Sequence, residues 1–463
     1  MPQPHYQDDA VTLHLGDSLA VLPTLADASV DAIVTDPPYE IAFMGRAWDS
    51  TGIAYSVELW RHCWRVLKPG GHLLAFGSPR TYHRLAVAIE DAGFEIRDSL
   101  HWIYGSGFPK GQDIAKLIDR HRDDRALVLQ VTAWLAAARD AAGWTNPQID
   151  ALWGFNGMAG QWTTQGRAAA VPRPEQWDRL REALGFDDAD IWPVVAELNA
   201  RKGQLCEAWA SRETVGQGRR VRRASDVQLA PLSDGAYPLT APATDAARRW
   251  DGWNTQLKPA HEPIVLARKS TGFESTVANV LLYGTGALNI DGCRTEAGQD
   301  YLDKCASVVG LASNRNGATL GEWTGQRTDS SHPAGRWPTN LLLGHSTRCA
   351  EATCAGDCPV AELGPRARFF PAFRYEAKAP ASERPKTAGG TVHTTVKPLA
   401  LMRWLVRLVT PPGGLVLDPF AGSGTTLEAA ALEGMHAAGI ELDPAHAELC
   451  RVRLSRPLPA ALF

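Results

Sequence analysis

The sequence Gly414-Leu-Val-Leu-Asp-Pro-Phe-Ala-Gly-Ser-Gly-Thr-Thr426 decides the fold, because it joins a short apolar run to a glycine-rich loop and then to a helix. Apolar, partly β-branched residues before Asp418 are typical of a buried parallel strand. Gly422 and Gly424 have no side chain, so the backbone can pass close to a ligand. A second apolar run ends at Glu441, where a carboxylate can accept hydrogen bonds from ribose hydroxyls. Nicotinamide sites follow G-x-G-x-x-G, from which this loop departs.

A second motif, Asp36-Pro-Pro-Tyr39, follows the apolar run Val30-Asp-Ala-Ile-Val-Thr35. Consecutive prolines fix the backbone φ angles and remove two amide donors, which leaves a rigid edge that carries acceptors only. Asp36 and the carbonyl of Pro37 can therefore accept both hydrogens of an adenine amino group. Tyr39 offers an aromatic face to a base pulled out of a helix. Both motifs follow strands, and open α/β sheets bind ligands at the carboxyl ends of their strands.

The composition indicates a soluble globular protein with more than one domain. A chain of 463 residues is too long for one ordinary core, so we expect two or three domains. Hydrophobic residues make up 44% of the chain, and no apolar stretch is long enough to span a bilayer. The first residues lack the pattern of a signal peptide, so we expect a cytoplasmic protein whose eight cysteines are reduced or bound to metal.

A net charge of −4 argues against a uniformly basic surface for nucleic acid. A local cluster, Arg219-Arg-Val-Arg-Arg223 with Arg212 upstream, has enough cations to neutralise several phosphates. The alternative is a solvated basic loop. The sequence leaves both interpretations open.

The periodicity of apolar residues divides the chain into five segments. The first and the last alternate strands with helices, as in a parallel α/β sheet. The segments are an α/β part with the Asp-Pro-Pro-Tyr motif at 1–110, a helical insertion at 111–250, later sheet strands at 251–285, a loop-rich region at 286–390 and an α/β part with the glycine loop at 391–463. Periodicity and capping predict strands at 11–15, 30–35, 72–76, 94–104, 262–269 and 437–441, and helices at 56–67, 81–92, 174–184, 399–409 and 425–432.

The insertion resembles a helix-turn-helix of the phage-repressor type. Helices predicted at 146–153 and 158–164 flank a turn, and Gln161, Thr163 and Thr164 lie on the candidate recognition helix. A helical bundle that only packs or contacts a protein partner is the alternative. The loop-rich region has many hydrogen-bonding side chains, which suits readout of base edges, although a flexible appendage has the same composition.

Together the motifs resemble those of amino-methylating DNA methyltransferases that use S-adenosylmethionine, in the permuted β-type subgroup whose catalytic motif precedes its cofactor motif. His393-Thr-Thr-Val-Lys-Pro398 is similar to the family's His-Pro-Thr-x-Lys-Pro segment, with Thr394 where proline is usual. The resemblance covers 1–110, 251–285 and 391–463. It implies a Rossmann-like class I methyltransferase sheet of seven strands, a target-recognition region at 286–390, and a DNA substrate with a flipped target base.

The resemblance also implies site residues. Phe420, Gly422 and Gly424 contact the methionine part of the cofactor, Glu441 binds its ribose, and Gly16-Asp17 recognises its adenine. The implied catalytic residues are Asp36, Pro37, Pro38 and Tyr39. The implied cofactor-binding residues are Asp17, Thr395, Lys397, Asp418, Phe420, Ala421, Gly422, Gly424, Thr425, Glu441 and Leu442.

Four potential metal ligands lie within fourteen positions: His345, Cys349, Cys354 and Cys358. Their number and spacing are close to those of a structural zinc knuckle. In a segment with little apolar core, zinc would supply folding energy directly. Free thiols in a disordered loop are the alternative.

We therefore expect a DNA adenine N6 methyltransferase, because aspartate stands first in the tetrapeptide and the family's cytosine N4 enzymes more commonly have serine or threonine there. Methyl transfer would be direct and in line, without a covalent intermediate. A cytosine N4 methyltransferase, an RNA amino-methyltransferase and a catalytically silent DNA-binding regulator are the alternatives. Restriction protection, phage modification and regulation use the same chemistry, and the recognition region has no readable sequence code.

Overall fold

The structure is a computed structural model that divides into two compact units, residues 1–108 with 259–463 and residues 109–258. It describes residues 4–41, 49–105, 111–121, 124–154, 157–201, 206–219, 236–273, 275–307, 335–346, 349, 353–356, 358–373 and 396–456. No helix among these residues combines the length and the apolar character needed to cross a membrane.

The secondary structure follows the periodicity of the sequence closely. The strands are β1 (Tyr6–Gln7), β2 (Val11–Leu15), β3 (Val30–Thr35), β4 (Leu67–Phe76), β5 (Phe94–Tyr104), β6 (Thr214–Arg219), β7 (Ala236–Thr240), β8 (His261–Lys269), β9 (Leu341–Gly344), β10 (Ala372–Phe373), β11 (Leu415–Asp418) and β12 (His436–Glu441). The α-helices are α1 (Ser18–Val21), α2 (Val57–Val66), α3 (Tyr82–Asp91), α4 (Ile114–Arg120), α5 (Arg125–Ala141), α6 (Asn146–Ala151), α7 (Met158–Thr163), α8 (Pro174–Leu184), α9 (Trp192–Ala200), α10 (Glu207–Ala210), α11 (Asp245–Arg249), α12 (Thr276–Tyr283), α13 (Gly298–Ser307), α14 (Pro359–Leu363), α15 (Leu399–Val409), α16 (Thr425–Leu432) and α17 (Pro444–Leu454). Short 3-10 helices lie at Leu22–Thr24, Ile53–Tyr55, Asp291–Cys293 and Gly364–Phe369.

The first unit is built on one ten-stranded sheet with the order β1-β2-β12-β11-β3-β4-β8-β5-β9-β10. Strands β2, β12, β11, β3 and β4 are parallel neighbours, while β8 is antiparallel to both β4 and β5. The first and the last thirds of the chain therefore interleave at the centre of the sheet. The Rossmann-like α/β class expected from the sequence is confirmed by this arrangement.

The sheet has three strands more than the seven that the resemblance implies. At one edge, β1 adds two residues, and at the other edge β9 and β10 add four and two. Strands β9 and β10 come from the region predicted to be loop-rich at 286–390. Strands this short show no alternation that a periodicity argument can detect, which is why the sequence did not reveal them.

Apolar residues cover both faces of the sheet. On β11, Val416 packs into the cluster that includes α15 and α16, and the next residue, Leu417, packs into the cluster that includes α2 and α3. This alternation places consecutive side chains on opposite faces, as the pleat of a strand requires. Ser56 is the N-cap of α2, and its side chain accepts from the backbone N–H of Leu59, the first buried residue of the helix.

The boundary between α2 and β4 differs from the prediction. The sequence predicts a helix at 56–67 and a strand at 72–76, but the strand already begins at Leu67. Lys68 Nζ donates to Asp31 Oδ1 of β3 at 2.6 Å, which ties this segment to the neighbouring strand. A Cβ on Gly71 would lie 2.9 Å from the carbonyl oxygen of Asp31. Gly71 therefore allows β4 to pack closely against β3.

In the second unit, residues 109–258, the first and the last residues are paired with each other through the backbone. Thr255 N donates to Gln112 O at 3.1 Å, and Asp113 and Asn254 form an isolated antiparallel β-bridge. The predicted insertion ended at residue 250, whereas the compact unit extends to residue 258. Residues 251–258 belong to the unit because these backbone contacts hold them against the residues at its start.

Helices α5 to α9 of this unit pack around an apolar cluster with Trp162 and Trp177 at its centre. The candidate recognition helix α7 is only six residues long. The hydroxyl of Thr163 donates to the backbone of its own helix at 2.7 Å, and that of Thr164 accepts from a backbone N–H at 3.0 Å. Gln161 has an exposed side chain. DNA contact by this helix stays a prediction.

Arg212 does not belong to a phosphate-binding cluster, contrary to one interpretation of the sequence. Its side chain is buried and forms an ion pair with the buried carboxylate of Asp119. It also donates to Thr240 Oγ1 at 2.8 Å. Its charge is therefore used inside the unit, and residues 220–223 lie outside the described part of the chain.

Candidate active site

The glycine loop lies between β11 and α16 and is fixed by the end of β12. The backbone N–H of Gly422 donates to Glu441 Oε2 at 2.7 Å. The backbone N–H of Asp443 donates to Glu441 Oε1 at 2.9 Å. Gly424 has φ +80°, and a Cβ there would overlap the Cys450 thiol. An L side chain at Gly424 would be both strained and obstructed, which explains the glycine.

Asp418 fixes the start of this loop from inside the protein. Its side chain is buried, accepts from Thr35 Oγ1 at 2.6 Å and accepts from the backbone N–H of Phe420 at 3.0 Å. Burial raises the pKa of Asp418 to about 6, opposed by these hydrogen bonds. These contacts of Asp418 join β11 to β3 and hold the loop, and its implied role in cofactor binding stays a prediction.

Residues 16–18, near the start of the chain, lie at the corner of the sheet that the glycine loop and the end of β12 form. Gly16 N donates to Glu441 O at 2.9 Å, and Ser18 Oγ donates to Pro419 O at 2.5 Å. Asp17 caps α1 by accepting from the N–H of Leu19 through one carboxylate oxygen. The loops at 16–18, 418–424 and 441–443 therefore adjoin, although more than 400 residues separate the first from the second.

The same corner has an apolar surface beside a carboxylate. Leu442 is 64% exposed and follows Glu441 directly. Phe420 is half-buried against the α2–α3 side of the core, Ala421 is buried, and Thr425 is buried at the first turn of α16. An exposed leucine next to a hydrogen-bonded carboxylate suits a flat base attached to a ribose. The residues present thus fit an adenosine-containing cofactor.

The Asp36-Pro-Pro-Tyr39 motif lies beside this corner, at the end of β3. Asp36 Oδ2 accepts from Lys397 Nζ at 2.5 Å. Lys397 Nζ also donates to the Tyr39 hydroxyl at 3.1 Å and lies 3.4 Å from Glu262 Oε2. The Tyr39 hydroxyl donates in turn to Glu262 Oε2 at 2.9 Å. Asp36, Tyr39, Glu262 and Lys397 form one connected group, which we call the carboxylate–lysine cluster.

Burial and mutual charge set the protonation of this cluster. Burial raises the pKa of Asp36; the Lys397 ammonium opposes this rise and the Glu262 carboxylate adds to it. Burial alone would lower the pKa of Lys397, but the carboxylates of Asp36 and Glu262 outweigh it and hold the pKa above its ordinary value. Burial and the neighbouring carboxylates raise the pKa of Tyr39 well above its ordinary value. Lys397 therefore stays charged, and Tyr39 stays neutral.

One hydrogen-bond acceptor of the carboxylate–lysine cluster is unpaired among the described residues. Asp36 Oδ1 is buried and has no hydrogen-bond partner among the described residues. An unpaired buried carboxylate oxygen costs free energy unless a donor reaches it. The two prolines that follow cannot supply an N–H. The motif therefore presents a free acceptor at the carboxyl edge of the sheet.

Sequence reasoning missed two features of this site. The sequence predicts Glu262 only as the first residue of the strand at 262–269. It lies in β8, which is antiparallel to β4, so its first residues meet the edge where β3 and β11 end. That orientation could not be read from the sequence. Lys397 contacts Asp36, Tyr39 and Glu262, which the sequence did not indicate, and its implied role in cofactor binding stays a prediction. Thr395 lies outside the described residues.

The metal-ligand candidates, in contrast, come together as a group. One ligand atom from each of His345, Cys349, Cys354 and Cys358 lies within 4.8 Å of the others. The group follows β9 directly, at the far edge of the same sheet.

Comparison with known proteins identifies the family. A model of the N6/N4 methyltransferases, described as DNA methylase, matches residues 30–122 and 239–451. These residues are more than half of the chain, and the protein therefore belongs to the N6/N4 DNA methylase family. The match does not include residues 123–238, which form most of the second unit. The resemblance stated from the sequence is confirmed.

Individual relatives match over short stretches. YubD of Escherichia coli (strain K12) is 46% identical over 57 residues, which cover 12% of this chain and 25% of YubD. The type II methyltransferase M.HindIII of Haemophilus influenzae is 55% identical over 49 residues, which cover 11% of this chain and 16% of that protein. The chain thus spans a quarter or less of the length of these relatives. Among solved structures, PvuII DNA methyltransferase (cytosine-N4-specific) has 12% identity and a TM-score of 0.40, with 99% of this chain and 91% of that chain covered.

Proposed function

We propose that this protein is a site-specific DNA methyltransferase that transfers a methyl group from S-adenosylmethionine to the N6 amino group of adenine. Its membership of the N6/N4 DNA methylase family supports the reaction class. The observation that carries the proposal is the buried Oδ1 of Asp36 at the end of β3, which has no hydrogen-bond partner among the described residues. Both hydrogens of an exocyclic amino group are hydrogen-bond donors. They match the Asp36-Pro-Pro-Tyr39 motif, whose edge carries only acceptors.

The cofactor would lie over the ends of β11 and β12. Glu441 would accept from its ribose hydroxyls, since its two oxygens are already oriented by the N–H groups of Gly422 and Asp443. Leu442 would cover its adenine, with Asp17 at the adenine edge, and Phe420 would contact its methionine part. When bound, the cofactor supplies an activated sulfonium methyl group.

The target base would enter between Asp36 and Tyr39. Asp36 Oδ1 and the carbonyl of Pro37 would accept the two hydrogens of the amino group, which directs the nitrogen lone pair away from the ring plane. The ring of Tyr39 would stack on the base. The Lys397 ammonium opposes the rise that burial gives to the pKa of Asp36, which favours the ionised acceptor. Catalysis would come from orientation and electrostatics, without a covalent intermediate.

Adenine is preferred over cytosine because aspartate occupies the first position of the tetrapeptide. Both bases present an exocyclic amine, and the acceptor edge suits either. The cytosine N4 reaction is therefore the second candidate, and the nature of the methylated base decides between them.

The test is nucleoside analysis of methylated DNA. Unmethylated genomic DNA is incubated with the purified full chain and S-adenosylmethionine, digested to nucleosides and analysed by mass spectrometry, with Asp36→Ala protein as the matched control. We expect N6-methyladenine with the parent protein and, over the same short incubation, much less of it with Asp36→Ala. Recovery of N4-methylcytosine alone would refute the adenine assignment. Methylation of RNA but not DNA would refute the substrate, and no methylated base with correctly folded protein would favour the silent regulator.

A further inference from the structure

We propose that His345, Cys349, Cys354 and Cys358 bind one structural zinc ion at the edge of the sheet. This site lies outside the carboxylate–lysine cluster and does not depend on the proposed methyl transfer. The four ligand atoms lie within 4.8 Å of one another although the residues span fourteen positions. One imidazole and three thiols are the ligand types and the number that a closed structural zinc site uses.

The two distances from the imidazole to thiols agree with a tetrahedral ion. Zinc bonds of about 2.3 Å to sulfur and about 2.05 Å to nitrogen, at a tetrahedral angle, place the two ligand atoms about 3.6 Å apart. His345 Nδ1 lies 3.4 Å from Cys354 Sγ and 3.6 Å from Cys358 Sγ. The imidazole and these thiols are thus spaced as an ion between them would require.

Backbone groups around the thiols are arranged to support thiolates. The N–H of Ser346 donates to Cys358 Sγ at 3.5 Å, and the N–H of Ala355 donates to Cys349 Sγ at 3.3 Å. Such bonds orient a metal ligand and favour its charged form. They come from residues next to other ligands, so the segment folds around its own sulfur atoms.

The described part of this segment is joined to the sheet through a small number of contacts near the ligands. Helix α14 follows Cys358 and has no buried residue. The N–H of His345 donates to the carbonyl of Phe373 in the two-residue strand β10 at 2.7 Å. Phe373 contacts Trp404 of α15 with ring centroids 5.9 Å apart. Zinc at His345 would therefore fix β10 and the chain between β9 and β10 on the sheet.

The place of the site in the sheet separates it from cofactor binding. Strand β9 is five positions from β11 in the sheet order. With neighbouring strands about 4.8 Å apart, the zinc site and the glycine loop are roughly 24 Å apart. Loss of zinc should thus disturb the edge formed by β9 and β10 and leave the glycine loop intact.

Metal analysis of the full chain tests the proposal. Protein purified under reducing conditions is analysed by inductively coupled plasma mass spectrometry, and we expect about one zinc per chain. Cys354→Ser should lose most of this zinc. Cys206→Ser is the matched control, because Cys206 is a free cysteine outside the group, and it should retain all of it. Zinc content far below one per chain after reconstitution with zinc chloride would refute the site, as would an unchanged content in Cys354→Ser.

A second measurement separates zinc loss from general misfolding. Cobalt(II) added to metal-free protein should give the visible absorption of a tetrahedral thiolate site with the parent and with Cys206→Ser, but a much weaker band with Cys354→Ser. Isothermal titration should show S-adenosylmethionine binding within about twofold of the parent in Cys354→Ser, since the glycine loop lies roughly 24 Å away. An octahedral cobalt spectrum with the parent protein would overturn the ligand assignment. Failure of the methyl-transfer proposal would leave both metal readouts unchanged.

Discussion

Removing the Asp36 carboxylate should slow methyl transfer without weakening cofactor binding. In the structure, Asp36 Oδ2 accepts from Lys397, while Oδ1 is buried and unpaired among the described residues. The target amine would donate to Oδ1. Asp36→Ala deletes that acceptor but leaves untouched the contact between Gly422 and Glu441 that shapes the cofactor site.

The size of the effect follows from one charge-assisted hydrogen bond. A hydrogen bond to a charged group contributes about 1.5 to 3 kcal/mol. Each 1.36 kcal/mol changes a rate about tenfold, so Asp36→Ala should slow the single-turnover rate by roughly 10- to 150-fold. Asp36→Asn keeps an oxygen at this position without its charge, and its rate should lie between those of the parent and Asp36→Ala.

Single-turnover methyl transfer is the appropriate assay, with labelled cofactor and duplex DNA in quench flow. Cofactor affinity is measured beside it by isothermal titration. Asp91→Ala, which changes an exposed carboxylate at the end of α3, is the matched control and should behave as the parent. Transfer by Asp36→Ala at the parent rate would refute the acceptor role. A parallel loss of cofactor affinity would show that Asp36 acts on the cofactor site instead.

The pH dependence should respond to the two charged neighbours of Asp36 in opposite directions. Transfer needs the ionised carboxylate and is lost as pH falls through its raised pKa. Lys397→Met raises that pKa further, so the acid limb of the single-turnover rate should move to higher pH, whereas Glu262→Gln should move it to lower pH. Shifts in one direction for both variants would contradict this electrostatic account. For the glycine loop, Gly424→Ala should lower the free energy of unfolding by about 2 to 5 kcal/mol, from left-handed backbone strain and overpacking. Adding Cys450→Ala should restore roughly the overpacking part in urea denaturation, and no recovery would exclude that contact as the cause.

The fold was predictable from sequence wherever apolar periodicity was long enough. Helices α8, α15 and α16 begin and end at the predicted residues, and so do strands β2 and β3. Each has several apolar groups at helical or strand spacing and a clear signal at its ends. Strands β9 and β10 were missed because four and two residues show no periodicity. The return of the insertion at Asn254 was missed because backbone pairing depends on distant chain, not on local sequence.

The candidate site was predictable in its motifs but not in its electrostatics. The sequence placed Asp36 and Glu441 at strand ends, which is where the structure has them. It did not show that Lys397 pairs with Asp36, nor that Glu262 joins them. Both contacts depend on which strands become neighbours and in which direction each runs. A charge pattern along the chain contains no information on such pairings.

The central position of β11 has a consequence for synthesis of the protein. Strand β3 pairs with β4 on one side and with β11 on the other, yet Leu415 lies 384 residues after Asp31, whose carboxylate receives its backbone N–H. During synthesis, the edge of β3 that pairs with β11 therefore has no partner strand until most of the chain has been made. An apolar strand with an open edge invites pairing with other chains. We expect the growing chain to need protection from aggregation during that interval. The length of the interval is set by the distance in sequence between the Asp36-Pro-Pro-Tyr39 motif and the glycine loop.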